Sequence, residues 1–364
     1  MITDPVADTT DRATKGVDDA VFKTAVVGLG GMGRRHLQAM RDTTMRPVAL
    51  CDLAAASHDP AVELCAQRPC VYTHWQELLA SEAPALDLLT VATTGPSHAE
   101  IVIAAAKAGV RYIMCEKPMA TSGGAAREMA RVCANTGTRL AINLSRRYAT
   151  RFLRLKALLR SGAIGVPAHV NISVGAGGLG CIGTHYFDFI AWLADTTPSW
   201  LVGEIDRDPE PNVRGPQFYD PGGRGTIGYA NGMTACFQLS ERSARMPLIQ
   251  VVGSEGYIDL EGWSPPSGGT IKVFARPAAA REAPKTRLVP LEPMTYEAGP
   301  ALDVVAATRA CLDDLLGAHR EDTVAGGIAA VDTVIAFHLS GTEGWTKIAL
   351  PLANGQLSRD VPFT

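Results

Sequence analysis

A strand, a glycine loop and a helix follow one another near the start of this chain, and that order narrows its fold more than any other feature. Phe22 to Gly28 is a short apolar run rich in β-branched residues. Gly28-Leu29-Gly30-Gly31-Met32-Gly33 comes next, and a helical pattern runs on to about Thr43. GxGxxG after a strand and before a helix is the setting a dinucleotide-binding turn requires. Gly28 permits the tight turn, Gly30 lets a pyrophosphate approach the backbone, and Gly33 lets the helix pack closely on the strand. The helix start, at Gly31 and Met32, offers unpaired N–H groups to phosphates. Alone, the glycine pattern is weak, since a bland glycine loop shows it too.

The next strand supplies support. Pro47 to Cys51 is apolar and ends at Asp52, 24 residues after Gly28, about the ~20-residue offset of a ribose-binding acid. A carboxylate there accepts hydrogen bonds from both ribose hydroxyls and repels a 2′-phosphate, and Leu53 to Ser57 adds no arginine or lysine. The expected cofactor is therefore NAD rather than NADP. The competing reading of Asp52 is a helix N-cap.

Strands and helices keep alternating. Helices are expected at Ala61 to Gln67, Trp75 to Ala80, His98 to Ala108 and Ala125 to Thr136, with strands at Cys70 to Tyr72, Asp87 to Ala92, Val110 to Cys115 and Arg139 to Asn143. This pattern predicts an α/β domain on a doubly wound parallel sheet, the Rossmann arrangement. Thr93 and His98 fall at one strand's carboxyl end, where His98 either touches cofactor or merely starts a helix. Cys115-Glu116-Lys117-Pro118 falls at another. Ligands collect along that edge, and a lysine fixed by a following proline is well placed for acid/base or electrostatic work on a substrate.

Composition removes other classes. The 364 residues suggest two domains, and a formal charge of −3 leaves no basic excess for nucleic acid. No apolar run approaches the ~18 residues of a membrane span, and residues 1–20 read as a polar tail rather than a secretory signal. Eight cysteines show no CxxC pair or zinc spacing, so a reducing, cytoplasmic setting without a metal is expected. Cys51, Cys115 and Cys236 read as small hydrophobes within apolar runs.

GLGGMGRRH, Asp52, TTGPSH, CEKP, NLSRRY, GTHYFDFIAWL and the late AGGIAAVDTVIAFHLSGTEGWTKIALPL occur in order between about residues 22 and 352. Together they resemble the glucose–fructose oxidoreductase / inositol dehydrogenase / MocA family. The resemblance implies a dinucleotide domain over residues 21–143 and an α+β domain over 144–364 with an open, mostly antiparallel sheet. That sheet's outer face would make a homodimer or homotetramer. It also implies that Glu116 lies near the nicotinamide ribose, that Lys117 lies at the substrate before a Lys–Pro bond often found cis, and that His185 is the general base. Asn143, Arg147, Cys181, Thr184 and Asp188 are candidate substrate contacts. One position departs from the pattern: many relatives carry an aspartate where this chain has Cys181, which reads here as a small apolar filler or, less simply, a reactive thiol.

Read from the residues alone, His185 starts a helix with Thr184 as N-cap, Asp188 shares its face, and a lone histidine there is more often structural than catalytic. Asp188 or a backbone group is expected to orient the His185 ring. Arg147, Arg151 and Arg154 share one helix face, either a solvated surface or a contact for an anionic substrate group. Residues 203–225 and 277–300 read as loops, the latter with a strand near Leu288. Asn231-Gly232 reads as a type I′ hairpin turn, and Ala301 to Leu316 and Val324 to Ser340 read as helices. The activity implied is NAD-dependent oxidation of a secondary alcohol on a sugar, aminosugar, nucleotide-sugar or cyclitol, or the reverse reduction. The alternatives are an NAD-assisted glycosidase or lyase with transient oxidation, and a non-enzymatic NAD-dependent sensor.

Overall fold

A computed structural model describes residues 21–363 except 176, 208, 210, 241–246, 261–268, 281–289 and 318–320. The expected tail at 1–20 and the strand near Leu288 lie outside the described residues. The first half alternates without exception: β1 (Phe22–Val27), α1 (Gly31–Met40), β2 (Met45–Cys51), α2 (His58–Val62), β3 (Cys70–Tyr72), α3 (Trp75–Glu82), β4 (Leu88–Val91), α4 (Gly95–Lys107), β5 (Tyr112–Cys115), α5 (Gly123–Thr136) and β6 (Arg139–Ile142). The strands form one parallel sheet in the order β3-β2-β1-β4-β5-β6. This is the doubly wound order, with its switch point between β1 and β4. The central strands are mostly apolar and buried, apart from the exposed Lys23 at the start of β1, because helices cover both faces.

The second half opens with α6 (Thr150–Arg160) and β7 (Pro167–Val174), then a π-helical turn at Leu179–Gly183 that runs straight into α7 (Thr184–Leu193). It continues through β8 (Pro198–Ile205), β9 (Gly223–Tyr229), β10 (Thr234–Leu239), β11 (Leu248–Gly253), β12 (Gly256–Leu260), β13 (Gly269–Ala275), β14 (Glu292–Gly299), α8 (Val304–Leu316), α9 (Thr323–Thr342) and β15 (Ile348–Ala349). These strands form a nine-stranded sheet, β14-β13-β12-β11-β7-β10-β9-β8-β15, antiparallel except between β7 and β10. Strand burial alternates, as in β13, because one face packs on α7 and α9 while the other is open.

Several local expectations change. The stretch 203–225 contains the end of β8 and the start of β9, and 277–300 contains β14. The β9–β10 turn is not type I′, which needs positive φ at both central residues. Gly232 has φ 83° but Asn231 is not left-handed, and Tyr229 N bonds Met233 O across a three-residue loop. Cys236 is exposed on the open sheet face rather than buried. Against the expectation of no long apolar run, α9 is long and apolar enough to cross a membrane by length and composition, yet 61% of it is buried between the second sheet and the first domain. The boundary expected at 143/144 is also bridged: Cys311, Leu312 and Leu315 of α8 pack with Val26, Leu37 and Met40 under the first sheet. Arg127 of α5 makes a two-point pair with Asp332 of α9 at 2.8 and 2.7 Å.

Candidate functional site

Backbone builds one half of the site. Gly28 has φ +91°, and a Cβ there would sit 2.6 Å from the backbone of Ala92 and Thr93. A Cβ on Gly33 would overlap the Gly28 carbonyl, which is how α1 comes so close to β1. A Cβ on Gly30 or Gly31 would meet nothing within 4 Å, so the floor of the loop is open. Gly30 caps α1 without any side-chain bond, and its first-turn amides remain available to an anion. Met32 is half-buried beside them. Asp52 is fixed opposite: its Oδ2 accepts from Leu29 N at 2.6 Å and its Oδ1 from Ala54 N at 2.8 Å. Each oxygen keeps a second lone pair for a ribose hydroxyl. The expectation of an N-cap for Asp52 gives way to a bond that ties the β2 end to the glycine loop. This cradle fits a dinucleotide, with Thr93 at its β4 wall, where Thr93 Oγ1 accepts from Ser97 Oγ at 2.8 Å.

Side chains build the other half. The Lys117–Pro118 bond is cis, and Lys117 Nζ donates to the Cys181 carbonyl at 2.7 Å, with Cys181 Sγ at 3.9 Å. His185 stands one turn further along the same helical run. It is half-buried, and its Nδ1 is buried without a partner. Burial, then the charges of Arg146 and Lys117, push the imidazole well below the ordinary histidine value. His185 is therefore neutral at neutral pH. Arg146 lies with its guanidinium 4.4 Å above the Tyr186 ring.

Several expected site residues turn out to hold others in place. Glu116 is 4% exposed, and its Oε1 accepts from His36 Nε2 at 2.8 Å and Asn143 Nδ2 at 2.7 Å. Burial pushes its carboxyl up, but His36, Lys117 and Asn143 outweigh burial and hold it below the usual carboxylate range. Its Oε1 is thus committed to His36 of α1 and to Asn143 just past β6. Asn143 spends its amide nitrogen on Glu116 and on Thr308 of α8, while its Oδ1 is buried without a partner. His98 is fully buried, with Nδ1 2.8 Å from Pro118 O and Nε2 3.2 Å from Thr93 O; burial keeps the ring neutral, and its one N–H, on the shorter contact, braces the Lys117 turn.

Arg147 and Asp188 form a buried two-point pair at 3.0 and 2.6 Å. Asp188 is therefore not the partner of His185, and Arg147 is not a substrate contact. Arg151, buried, and Arg154, half-buried, bond the Pro300 and Glu297 carbonyls, so these side chains tie α6 to the end of β14. Thr184 is not an N-cap: its hydroxyl bonds back to Gly180 O at 2.7 Å inside a helix that began five residues earlier. Sequence reading missed His36, Arg146 and Asp220. His36 sits three residues past Gly33 on the packed face of α1, a periodicity signal that could have found it. Arg146 lies within NLSRRY, where the neighbouring Arg147 drew attention instead, and Asp220 carries no local signal.

Residues 22–144 match the GFO_IDH_MocA family model, described as an oxidoreductase family with an NAD-binding Rossmann fold. The match covers the first domain of the chain, which is similar to that of this family's proteins. Its first domain is the NAD-binding Rossmann domain of these proteins. Inositol 2-dehydrogenase of Streptomyces avermitilis is 31% identical over 209 residues, 54% of this chain and 60% of that protein. D-apiose dehydrogenase of Paraburkholderia graminis is 37% identical over 158 residues, 42% of this chain and 40% of that protein. The matches to these curated relatives thus span about half their length. Solved structures extend the likeness to both domains at the level of fold. An oxidoreductase from Agrobacterium radiobacter in complex with NAD+, L-tartaric acid and magnesium has a TM-score of 0.75 at 21% identity, covering 90% of this chain and 98% of its own. Levoglucosan dehydrogenase in complex with NADH has a TM-score of 0.73 at 19% identity, covering 91% and 100%.

Proposed function

We propose that the chain is an NAD-dependent dehydrogenase acting on a secondary alcohol of a sugar, aminosugar, nucleotide-sugar or cyclitol, or reducing the matching ketone. The observation that carries this reading is the Lys117 ammonium, docked 2.7 Å from the Cys181 carbonyl in the helical run that carries a neutral, half-buried His185. Inositol and apiose dehydrogenases among the relatives support a carbohydrate-like substrate. Gly28 to Gly33 hold the pyrophosphate by backbone, and Asp52 holds the adenosine ribose and disfavours a 2′-phosphate.

Bound NAD supplies the hydride acceptor. His185 Nε2 takes the hydroxyl proton, while Nδ1 carries the ring proton. Lys117 stabilises the negative charge that develops on the substrate oxygen. General-base help of this kind contributes roughly 10²–10⁴-fold. In the reductive direction the same pair returns the proton. The place of the missing acid is taken by Cys181, whose carbonyl, rather than a carboxylate, orients the lysine.

The open face of the second sheet is the proposed contact between copies of this chain. It presents Leu248, the stacked Tyr257 and Phe274 rings at 4.6 Å, and Cys236. The eight cysteines are all free thiols, consistent with a reducing, cytoplasmic setting.

The test is a panel of sugars, cyclitols and nucleotide-sugars incubated with protein and NAD, following net NADH formation. Substrate-dependent NADH supports the dehydrogenase. Product without net NADH would indicate the glycosidase or lyase reading, and tight NADH binding with no turnover of any polyol would indicate a sensor.

A further inference from the structure

The residue whose carbonyl receives Lys117 is itself held, through its N–H, by a carboxylate from far along the chain. Gly180 N and Cys181 N, donors at the start of the helical run that becomes α7, both donate to Asp220, at 2.7 Å to Oδ1 and 2.8 Å to Oδ2. The first amides of a helix have no partner within it, and a carboxylate there satisfies them and meets the positive end of the helix dipole. Leu179 N bonds Pro221 O at 2.9 Å beside this contact, and a Cβ on Gly178 would overlap the Asp220 carboxyl. Two chain segments about forty residues apart thus meet with no slack, and the second of the amides they fix belongs to Cys181, the residue whose own carbonyl, one Cα further on, accepts from Lys117.

The end of the described chain ties this arrangement to the lysine turn. Tyr219 N, next to Asp220, donates to Pro362 O at 3.1 Å. Val361 N donates to Thr121 O at 3.2 Å, three residues past Pro118. The fully buried Phe363 ring lies where a Cβ on Gly180 would have to go. Residues 361–363 therefore touch the lysine turn, the Gly178–Cys181 turn and the Asp220 loop together.

We propose that Asp220 is a positioning residue for Lys117, acting through the Cys181 backbone from its N–H across Cα to its carbonyl, with the 361–363 segment as the strap that keeps its loop in register. Its importance for turnover rests on the catalytic role proposed above for Lys117. Its geometry does not. A carboxylate that only capped the helix would add stability and leave the lysine's hold unchanged. One that positions Lys117 releases the ammonium when removed.

The experiment is reductive methylation of the full chain with formaldehyde and borohydride, read per lysine by mass spectrometry. It compares wild type with Asp220→Asn, Asp220→Ala and Gly178→Ala, and uses NADH titration as the measure of integrity. Asp220→Asn keeps one acceptor oxygen, and Gly178→Ala displaces the carboxylate without altering it. The expected result is Lys117 labelling several-fold faster in Asp220→Ala and Gly178→Ala and intermediate in Asp220→Asn. Lys107 and Lys272 should react at unchanged rates, with NADH affinity intact. With a turned-over polyol, kcat should fall in the same order while the KM for NAD holds. Unchanged Lys117 labelling in all three variants overturns the proposal. So does loss of NADH binding in all three, because the carboxylate would then be holding up the fold rather than the lysine. Full turnover by Lys117→Ala would instead overturn the catalytic reading and leave the labelling result standing.

Discussion

The two halves of this site are built on opposite principles. The dinucleotide half is a backbone device: a glycine loop, a bare helix start and one carboxylate, all within the stretch from Gly28 to Asp52. The half around Lys117 and His185 is a side-chain device whose parts are held by residues from elsewhere. His98 braces Pro118, His36 and Asn143 hold Glu116, and Asp220 fixes the Cys181 peptide. A backbone device can be read from a short local pattern, because only glycine meets its steric demands. A side-chain device depends on which distant segments meet, and a single sequence does not record that.

The largest expected effect is on chemistry. Lys117→Ala and His185→Ala should each lower turnover by roughly 10²–10⁴-fold, measured as NADH formation on a responding polyol. A loss under about tenfold in either would remove that residue from the reaction.

A comparable effect, on folding instead of chemistry, is expected at Arg147. Truncation to Ala leaves the buried Asp188 unpaired and should cost about 3–5 kcal/mol in denaturant unfolding. The substrate KM, in whatever fraction folds, should be unchanged. A selective rise in KM with normal stability would restore Arg147 as a substrate contact.

Within the backbone half, Gly30→Ala and Gly33→Ala should separate binding from stability. Gly30→Ala meets open space, so it should keep the melting temperature while weakening NADH about tenfold or more by blocking pyrophosphate approach. Gly33→Ala must push α1 off the Gly28 carbonyl and should lower the melting temperature as well. Asp52→Ser should move the NADP-to-NAD preference upward by about tenfold, read as the ratio of kcat/KM values.

Much of the fold was legible and the site only partly. Strict alternation and its glycine turn announced the parallel sheet, because two-sided burial makes the central strands predominantly apolar. The strands β8 and β14 escaped because they flank stretches rich in proline, glycine and charge. Lys117 and His185 were visible from the family pattern. The roles of Asn143, Arg147, Thr184 and Asp188 were misread because polar residues beside a catalytic motif look alike whether they face the cleft or hold its wall. Partners such as Asp220 and Thr308 lie far away in sequence, so nothing local could have distinguished the two.

Smaller effects follow from charge. Burial, Arg146 and Lys117 depress the His185 value, so its base form persists below the usual histidine range. Arg146→Met removes one of those charges, and the acidic limb of kcat/KM should move to higher pH. A limb that stays put would take Arg146 out of the site's electrostatics. His338, whose ring lies 6.0 Å from that of Tyr219, is pushed down to about 4 by burial and Arg359. The unfolded chain takes up that proton near the ordinary value of about 6.5, so the group erodes stability as pH falls from there toward 4. His338→Asn should flatten the fall in melting temperature over that window by a few degrees, at about 2–4 °C per kcal/mol.

The claim that the two halves are separate devices is tested most directly by NADH titration of Lys117→Ala and His185→Ala, the variants expected to lose turnover. The account predicts dissociation constants within about twofold of wild type, because the backbone cradle touches neither side chain. A loss of about tenfold or more in either variant would contradict it and make the lysine–histidine half part of the cofactor site.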